Sequence, residues 1–347
     1  MRNYTLILLS DILKLRSIFM FNRIFLSAIL FMLSFSNILL SQDISLKVTG
    51  ISGLAFIEKT DINKSLRAFR GSEIHDDHRL RTSDDTQVEL TLSRRGDKIG
   101  SIIVPHNTIV LVNPPFSKND NRVSLSLLEG YIKVNIDKNA GALVEIHTPT
   151  TTSVVRGTTF EVAFAEDGST IVVLDNGMVD VVTDSDKKVL NSKEAYINTI
   201  DSKSKIVNQS SDSDPIVFLN RGEEASREDY IYTIENLMSA MEGISSVDND
   251  DSFVSLVNIE EGEDKMNSLE MKHYRMVAAN EGYYNTIIKL INLHPEKRNE
   301  LIQYARRSLT IYTANQKAIN KMNSAVTKTR EKFDRIKKKF DERIASK

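Results

Sequence analysis

Apolar and polar positions alternate with a period of two from residue 43 to about residue 207. Short runs such as TQVELTL, YIKVNI and TIVVL are rich in β-branched residues and are bounded by Gly, Pro, Asn or Asp. Successive side chains of a strand point to opposite faces, so this pattern predicts strands. We therefore expect residues 43–207 to form an all-β antiparallel sandwich or roll.

Two connections in this region indicate local strand pairing. FEVAFA (160–165) and TIVVL (170–174) are joined by EDGS, and TIVVL reaches MVDVV (178–182) through Asp175-Asn176-Gly177. Asn-Gly favours the positive φ angles of a tight hairpin turn. The three runs are expected to form an antiparallel meander.

The spacing of apolar residues changes to that of helices in the last third of the chain. A polar segment containing Pro215 predicts a linker over residues 208–222, and residues 223–347 are predicted to be helical, with long helices over about 265–293 and from Pro295 onwards. The predicted fold class is thus α+β by segments, with a β region followed by a helical hairpin or coiled-coil-like region. The seam of the last helix is interrupted at Thr329 and consists of Ile319, Met322, Val326, Phe333, Ile336 and Phe340.

The N-terminal segment predicts export. Residues 24–42 carry no charge and lie between Arg23 and Asp43. Residues 1–42 are interpreted as a signal peptide cut near Ser41 or as an uncleaved single membrane anchor, and a start at Met20 would give the compact layout of an export signal. Both alternatives place the chain after Asp43 outside the cytoplasm, in the periplasm or cell envelope.

Composition and charge exclude several classes of function. The chain has no cysteine, which rules out disulfides, a thiolate nucleophile and Cys-based zinc sites, and its net charge of −2 gives no overall attraction to nucleic acid. Locally, residues 223–270 hold 14 acidic and 2 basic side chains, whereas residues 296–347 hold 15 basic and 6 acidic ones. These segments could neutralise each other by packing together, or the basic one could dock on an anionic surface.

The stretch VEIHTPTTTSVVRGTTFEV carries a resemblance to a known family. Its T-P-x5-V-R-G-T-x-F run, followed by VVLDNGMVDV, resembles the FecR domain family, best known from periplasmic iron-dicitrate signal regulators. The resemblance covers roughly residues 43–182 and implies fold-defining positions without a catalytic role. These positions are Gly71, Thr82, Gly130, Pro149, Arg156, Gly157, Thr158, Phe160 and Gly177.

Arg156 and Gly157 are expected to form a corner between two strands. Gly157 permits a bulge or a close backbone approach, and the Arg156 guanidinium is expected to bond carbonyls or a carboxylate there. The neighbouring Thr and Ser side chains suit exposed strand faces.

The sequence contains few candidates for catalytic or metal-binding residues. His75-Asp76-Asp77-His78 is the one cluster with metal-ligand side chains, yet neither the spacing of His75 and His78 nor a third ligand is diagnostic, so we expect no metal and no cofactor. His147 and Thr148 are neighbours on a strand and should point apart, which argues against a nucleophile–base pair. We predict that the protein is not an enzyme.

The resemblance and the composition together imply an exported interaction or scaffolding module of the cell envelope. Regulators of the iron-dicitrate type carry a helical cytoplasmic domain before one membrane span, whereas at most 23 residues precede the apolar segment here. A membrane-anchored sensor in signal transduction is the main alternative, and a polysaccharide-binding protein is a further one. The expected partners are an envelope or membrane protein or a cell-wall polymer, not nucleic acid, and the helices could support homo-oligomers.

Overall fold

The computed structural model describes residues 44–59, 64–115, 121–183, 186–200, 203–245 and 259–345. The predicted signal peptide or anchor, residues 1–42, lies outside this part of the chain. Within the described residues, no helix is both long and apolar enough to cross a membrane.

The β region consists of short strands in the described part of the chain. In order, they are β1 (Ile44–Ser52), β2 (Ala55–Lys59), β3 (Lys64–Arg67), β4 (Glu73–Ile74), β5 (His78–Thr82), β6 (Gln87–Arg94), β7 (Asp97–Val104), β8 (Ile109–Val112), β9 (Arg122–Ile136), β10 (Leu143–His147), β11 (Thr152–Val155), β12 (Thr159–Phe164), β13 (Thr170–Asn176), β14 (Met178–Val182), β15 (Lys187–Asn191), β16 (Glu194–Asn198) and β17 (Ser204–Asn208).

The strands form two sheets that share β9. Sheet A has the order β4-β1-β6-β7-β9-β12-β13-β16-β17. Sheet B has the order β3-β2-β5-β8-β9-β10-β11-β14-β15. Apart from the parallel pair β9–β10, the described pairings are antiparallel. The predicted all-β antiparallel region is confirmed.

Strand β9 passes from one sheet to the other at Gly130. Its first half pairs with β8 and β10, and its second half pairs with β7 and β12. Gly130 has a φ of +81°, and a Cβ atom there would lie 2.4 Å from Thr108 Oγ1 and 2.6 Å from the carbonyl oxygen of Asn107. Only glycine fits this bend without displacing backbone.

The inner faces of the two sheets share one hydrophobic core. Val48 and Leu90 from sheet A lie in the same buried cluster as Leu80 and Leu125 from sheet B. Phe160, on β12, is completely buried in this cluster. Alternation along the strands places these side chains inside, as the period-two pattern predicts.

Four α-helices follow in the described part of the chain. They are α1 (Pro215–Glu228), α2 (Tyr230–Ser245), α3 (Ile259–Leu293) and α4 (Arg298–Ala345), with short 3₁₀ turns at Ser211–Ser213 and Pro295–Lys297. Helices α3 and α4 run antiparallel across the Pro295–Lys297 turn and pack with α2, so the predicted helical hairpin is confirmed.

The helices cover the outer faces of both sheets. Phe218 of α1 packs against Ala163 and Ile171 of sheet A. Ala278 of α3 packs against Leu111 and Leu128 of sheet B. Residues 44–347 form one compact unit by their contacts, so the helical part is built onto the β part.

Helix α1 begins at Pro215, inside the segment for which a linker is expected. The Asp214 side chain accepts hydrogen bonds from the backbone N–H groups of Ile216 and Val217, at 2.8 and 3.2 Å. Asp-Pro at this position supplies a helix N-cap and a residue pre-set for the first turn, because proline lacks only an N–H that has no helical partner there. The helical region therefore starts before residue 223.

Of the predicted three-stranded meander, the first pairing is confirmed and the second is wrong. β12 and β13 form the expected antiparallel pair, with Phe164 opposite Thr170. β14 does not pair with β13; it joins sheet B between β11 and β15. Gly177 has a φ of +106°, but Asn176 is not among the residues with positive φ, as a tight Asn-Gly hairpin would require. The chain crosses between the sheets at this point.

The seam of α4 is buried over only part of its length. Ile319, Met322, Val326 and Phe333 are at most 6% exposed, whereas Ile336 and Phe340 are 38% and 50% exposed. At the interruption near Thr329, the next residue, Arg330, points into the interior and is 3% exposed. An arginine thus occupies a place between two apolar seam residues.

Candidate functional site

The Thr-Pro stretch forms a tight turn between β10 and β11. The Thr148 N–H donates to the carbonyl oxygen of Thr151 at 2.8 Å, and the hydroxyl oxygens of these two residues lie 3.0 Å apart. Thr170 on β13 donates its hydroxyl to Thr148 Oγ1 at 3.0 Å and accepts one from Thr150 at 2.8 Å. These hydroxyl groups link the turn to the neighbouring sheet.

The expectation that the Thr and Ser residues of this stretch lie on exposed faces is wrong. Thr148, Thr151, Thr152 and Ser153 are completely buried. A buried hydroxyl costs free energy unless it is hydrogen-bonded, and the turn supplies partners for most of these groups. The polar composition therefore marks a hydrogen-bonded interior, where sequence alone suggests a solvated surface.

Helix α3 approaches this turn closely. A Cβ atom at Gly282 would lie 3.0 Å from Pro149 Cγ and 3.3 Å from the carbonyl oxygen of Leu128. The side chain of Glu281, next to Gly282, pairs with Arg79 of β5. Lys289, two turns further on, lies 2.7 Å from both Glu129 Oε1 and Glu166 Oε1. The helix is held on sheet B by a close contact and by charges.

A cleft of about 340 Å³ opens beside the Thr-Pro turn. One wall is the turn itself together with β16, and the other is formed by α2 and α3. From α3, Lys272, Arg275, Met276, Ala279 and Tyr283 line it. Because residues three and four apart share one helix face, this set is a single stripe of α3 directed at the cleft.

A larger groove of about 930 Å³ adjoins the cleft and runs between the edge of sheet A and helices α1 and α2. Both depressions are lined by Thr199, Ile200, Ser204 and Ala240. The lining of the groove carries both signs of charge, from Asp167, Lys203, Lys205, Glu228 and Asp229. Such a wide and mixed surface suits a macromolecular partner better than one small ligand.

A buried network of charged and polar groups lies between β9, β10 and helices α3 and α4. Arg122 Nη1 lies 3.4 Å from Glu145 Oε1 and 3.1 Å from Glu270 Oε2. Arg330 Nε donates to Glu270 Oε1 at 2.6 Å. Asn267 Oδ1 accepts from Arg122 Nη2 at 2.8 Å and from Arg330 Nη2 at 3.1 Å. The network connects α4 to the centre of sheet B through α3.

Further pairs join the acidic and basic segments of the chain. Glu263 of α3 pairs with Arg330 and Lys337, and Glu242 of α2 lies 2.7 Å from Arg307 of α4. These contacts agree with mutual neutralisation of the two segments, and they place part of the basic charge against the helices rather than in solvent.

His147 lies within hydrogen-bond distance of two hydroxyl groups in the buried network. Its Nε2 is 2.9 Å from Ser124 Oγ and 3.5 Å from Glu145 Oε2, and its Nδ1 is 2.9 Å from Thr152 Oγ1. A serine-hydrolase triad needs the carboxylate on the ring nitrogen opposite the nucleophile, and here both face Nε2. Burial lowers the pKa of His147 despite Glu145, so the imidazole is neutral near pH 7. These contacts suit a His147 ring that is packed in the interior, and they lack the geometry of a catalytic triad.

The metal candidates do not form a ligand set. His75 is exposed, whereas His78 is 8% exposed and its Nδ1 accepts the His75 backbone N–H at 3.2 Å. Within the described residues, no group of three His, Cys, Asp or Glu side chains could hold a metal ion.

The positions taken from the family resemblance are distributed over bends and buried sites. Gly71 lies in a turn before β4, Thr82 ends β5 and Gly130 bends β9. Pro149 lies in the Thr-Pro turn, and Phe160 is buried in the core. The connections between strands contain the other positions: Arg156, Gly157 and Thr158 between β11 and β12, and Gly177 between β13 and β14. The fold brings two sets of these positions close together in space. Thr82 Oγ1 accepts the N–H of Thr108, the residue against which Gly130 bends, at 2.9 Å. A Cβ at Gly177 would lie 2.4 Å from Thr158 Cγ2.

The corner after β11 depends on Gly157 and not on Arg156. Gly157 has a φ of +71°, and a Cβ there would lie 2.6 Å from Lys138 Cα. The Arg156 side chain is exposed and forms no hydrogen bond with the described residues, contrary to the expected anchoring role. The close backbone approach shapes the corner.

Sequence reasoning missed the buried network and the cleft. Arg330 at a seam position is the one local signal of the network, because a charged residue between Val326 and Phe333 needs an interior partner. No local signal marks the cleft, since its walls come from turns and helices far apart in sequence.

These features define the protein by architecture: two sheets sharing one bent strand, with helices packed on their outer faces. Residues 78–180, from β5 to β14, match the family model described as FecR protein. This match confirms the resemblance to the FecR family that the sequence motifs predict.

Two crystal structures of one candidate anti-sigma factor from Parabacteroides distasonis ATCC 8503, at 1.65 and 2.50 Å resolution, are also similar. Each has 18% sequence identity and a TM-score of 0.33, with 39% of this chain and 61% of that chain covered. This chain thus matches about three fifths of the length of those proteins. No curated protein matches the chain.

Proposed function

We propose that this protein is an extracytoplasmic, non-catalytic interaction module that binds an extended segment of another envelope protein. The supporting observation is the groove of about 930 Å³ between the edge of sheet A and helices α1 and α2. Regulators of the FecR family act by contacting other proteins, and the FecR match at residues 78–180 is consistent with this class of function.

The edge strand beside the groove supports an extended partner segment. Among the described strands, β17 pairs with β16 alone, and its Ile206 is 39% exposed. Ser204 and Lys205 of β17 line the groove. An unpaired strand edge offers N–H and C=O groups that a partner strand can bond, with side-chain pockets beside it for specificity.

The second candidate is a membrane-anchored sensor that relays binding to a separate membrane protein. The FecR match favours it, because that family is regulatory. Sequencing of the mature N-terminus separates the two readings: Gln42 as the first residue would rule out the anchor, and an intact N-terminus in the membrane fraction would support it. Polysaccharide binding remains a third proposal, and purified protein would then sediment with cell-wall material.

Photo-crosslinking in intact cells tests groove binding. A photoreactive residue replaces Tyr232, which lines the groove and is 62% exposed, and the control position is the exposed Lys98 on β7. We expect a crosslinked envelope protein from position 232 and not from position 98. The same product should disappear when the groove is filled by Ser239→Trp and persist with Ser324→Trp on exposed α4. Equal products in all four cases would refute the proposal.

A further inference from the structure

The basic segment of the chain is neutralised by acidic side chains over only part of its length. Lys337 of α4 pairs with Glu263, which lies in the second turn of α3. Helix α4 continues from there to Ala345. The next two residues, Lys338 and Lys339, are exposed and form no ion pair with the described carboxylates. Positive charge therefore remains in solvent at the C-terminal end of α4.

The apolar seam of α4 becomes exposed over the same stretch. Ile336, Phe340 and Ile344 are spaced four residues apart, so they lie on one face of the helix. Their exposure rises along the helix from 38% to 50% and then 60%, whereas Phe333, one turn earlier, is 3% exposed. These three residues form a continuous apolar stripe, called here the α4 stripe. An exposed stripe of this kind marks a contact surface more often than single apolar residues do.

Lysine side chains lie on both sides of the α4 stripe. Lys337 and Lys339 precede Phe340 by three positions and by one, which places them on opposite sides of it around the helix. A helix face that is apolar in the middle and cationic at its margins suits the boundary between lipid headgroups and acyl chains. Its apolar side chains can enter the acyl region, while the lysine stems keep their charges among the headgroups.

Charge and size favour a lipid surface over a protein at this end of α4. A second copy of the chain would bring Lys338 and Lys339 close to the same cations of its partner, and like charges repel. The three side chains of the α4 stripe also offer far less area than the roughly 800 Å² per partner of a standard protein interface. An anionic bilayer needs no complementary pocket, and it attracts each nearby lysine electrostatically.

We propose that the C-terminal end of α4 docks on an anionic phospholipid surface. The α4 stripe enters the interfacial region of the bilayer, and Lys338 and Lys339 contact the headgroups. This contact goes beyond the protein-binding groove beside β17, and it does not depend on the groove having a partner. It holds the protein at a membrane through residues of the helical region, independently of residues 1–42.

Tryptophan fluorescence tests the docking directly, because the chain contains no tryptophan of its own. Phe340→Trp puts the probe in the α4 stripe, and Leu309→Trp puts it at a 50% exposed position nearer the start of α4. Both variants are made in the compact unit 44–347, which lacks the apolar segment 24–42 that would itself bind lipid. With vesicles of phosphatidylglycerol mixed with phosphatidylcholine, we expect a saturable blue shift of the emission for Phe340→Trp and none for Leu309→Trp. Vesicles of phosphatidylcholine alone should give no saturable shift.

Charge variants in the Phe340→Trp background test the electrostatic part of the proposal. Lys338→Gln/Lys339→Gln should weaken binding to the mixed vesicles about 30-fold at low ionic strength, the loss expected for two lysines at an anionic surface. Lys317→Gln/Lys321→Gln is the matched control, because it makes the same charge change at two exposed positions of α4 away from its end. Its affinity should stay within about twofold of that of the parent variant, since the distance exceeds the range of screened charges.

Three results with vesicles would overturn the proposal: no shift for Phe340→Trp with the mixed vesicles, an equal shift with phosphatidylcholine alone, or equal binding by the two pairs of lysine variants. A shift that grows with protein concentration in the absence of vesicles would assign the α4 stripe to a second copy of the chain, and it would overturn the proposal as well. The substituted side chains are all exposed, so the variants should fold, and their melting curves verify it.

Discussion

Arg330 Nε donates to Glu270 Oε1 at 2.6 Å, with the two side chains 3% and 1% exposed. The contact joins the interior faces of α4 and α3 and continues through Arg122 to Glu145 on β10. Charged groups at such depth are tolerated because each has a partner of opposite charge. Their arrangement ties the helical hairpin to one place on sheet B.

Arg330→Ala should strongly destabilise the protein. Without Arg330, Arg122 alone remains beside the buried carboxylates of Glu145 and Glu270, so one buried negative charge is left uncompensated. The loss of a partner from a buried ion pair typically costs about 3–5 kcal/mol. Urea unfolding measures the change, and Arg335→Ala on the exposed face of α4 should stay within about 0.5 kcal/mol of wild type. A loss for Arg330→Ala no larger than that of Arg335→Ala would contradict the importance of the network.

Gly130→Ala should be more damaging than Gly71→Ala. Both glycines have positive φ, +81° and +100°, but a Cβ at residue 130 would overlap Thr108 and the Asn107 carbonyl, whereas nothing lies within 4 Å of one at residue 71. We expect about 1 kcal/mol of backbone strain at residue 71 and about 3 kcal/mol or more at residue 130. Thermal unfolding of the two variants checks this, and equal losses would show that the β9 bend can relax.

The stability of the protein should fall as the pH drops below about 6.5. Burial, followed by the charge of His147, lowers the pKa of His273 to about 4. The unfolded chain takes up this proton near pH 6.5 and the folded chain only near pH 4, so stability present above pH 6.5 is lost as the pH falls towards 4, by up to about 3 kcal/mol.

His273→Gln isolates this contribution from that of the carboxylates. Its free energy of unfolding should depend less steeply on pH between 6.5 and 4 than that of wild type. His106→Gln, at an exposed turn, should keep the wild-type slope. Urea unfolding at several pH values gives the slopes, and identical slopes for wild type and His273→Gln would refute the assignment.

Zinc should leave the melting temperature unchanged. His78 already accepts a backbone hydrogen bond through Nδ1, and no group of three His, Cys, Asp or Glu side chains among the described residues could hold a metal ion. A metal that binds only the native state raises Tm, and the rise grows with the logarithm of the metal concentration relative to its dissociation constant. A saturable rise with Zn²⁺ that disappears in His75→Ala/His78→Ala would show that the turn does hold a metal.

The sequence-based predictions are confirmed where both the sequence signal and the structure depend on near neighbours in the chain. The β12–β13 hairpin follows from a short turn with Gly168 between two alternating runs. The lengths of α3 and α4 follow from helical periodicity and from the proline between them. The FecR motifs were recognised in the same way, because they recur as short ordered patterns.

The sequence by itself therefore determined the strand-then-helix order, the apolar core-facing positions of the strands and the resemblance to the FecR family. Only the tertiary structure decided that β14 leaves β13 for sheet B, that the Thr-rich turn is buried, and that Arg330 joins Arg122 through Glu270. Periodicity fixes which face of an element is apolar, but not which distant element covers that face. That choice depends on packing and on charge compensation between residues far apart in the chain, and the sequence carries no local signal of which distant residue is the partner.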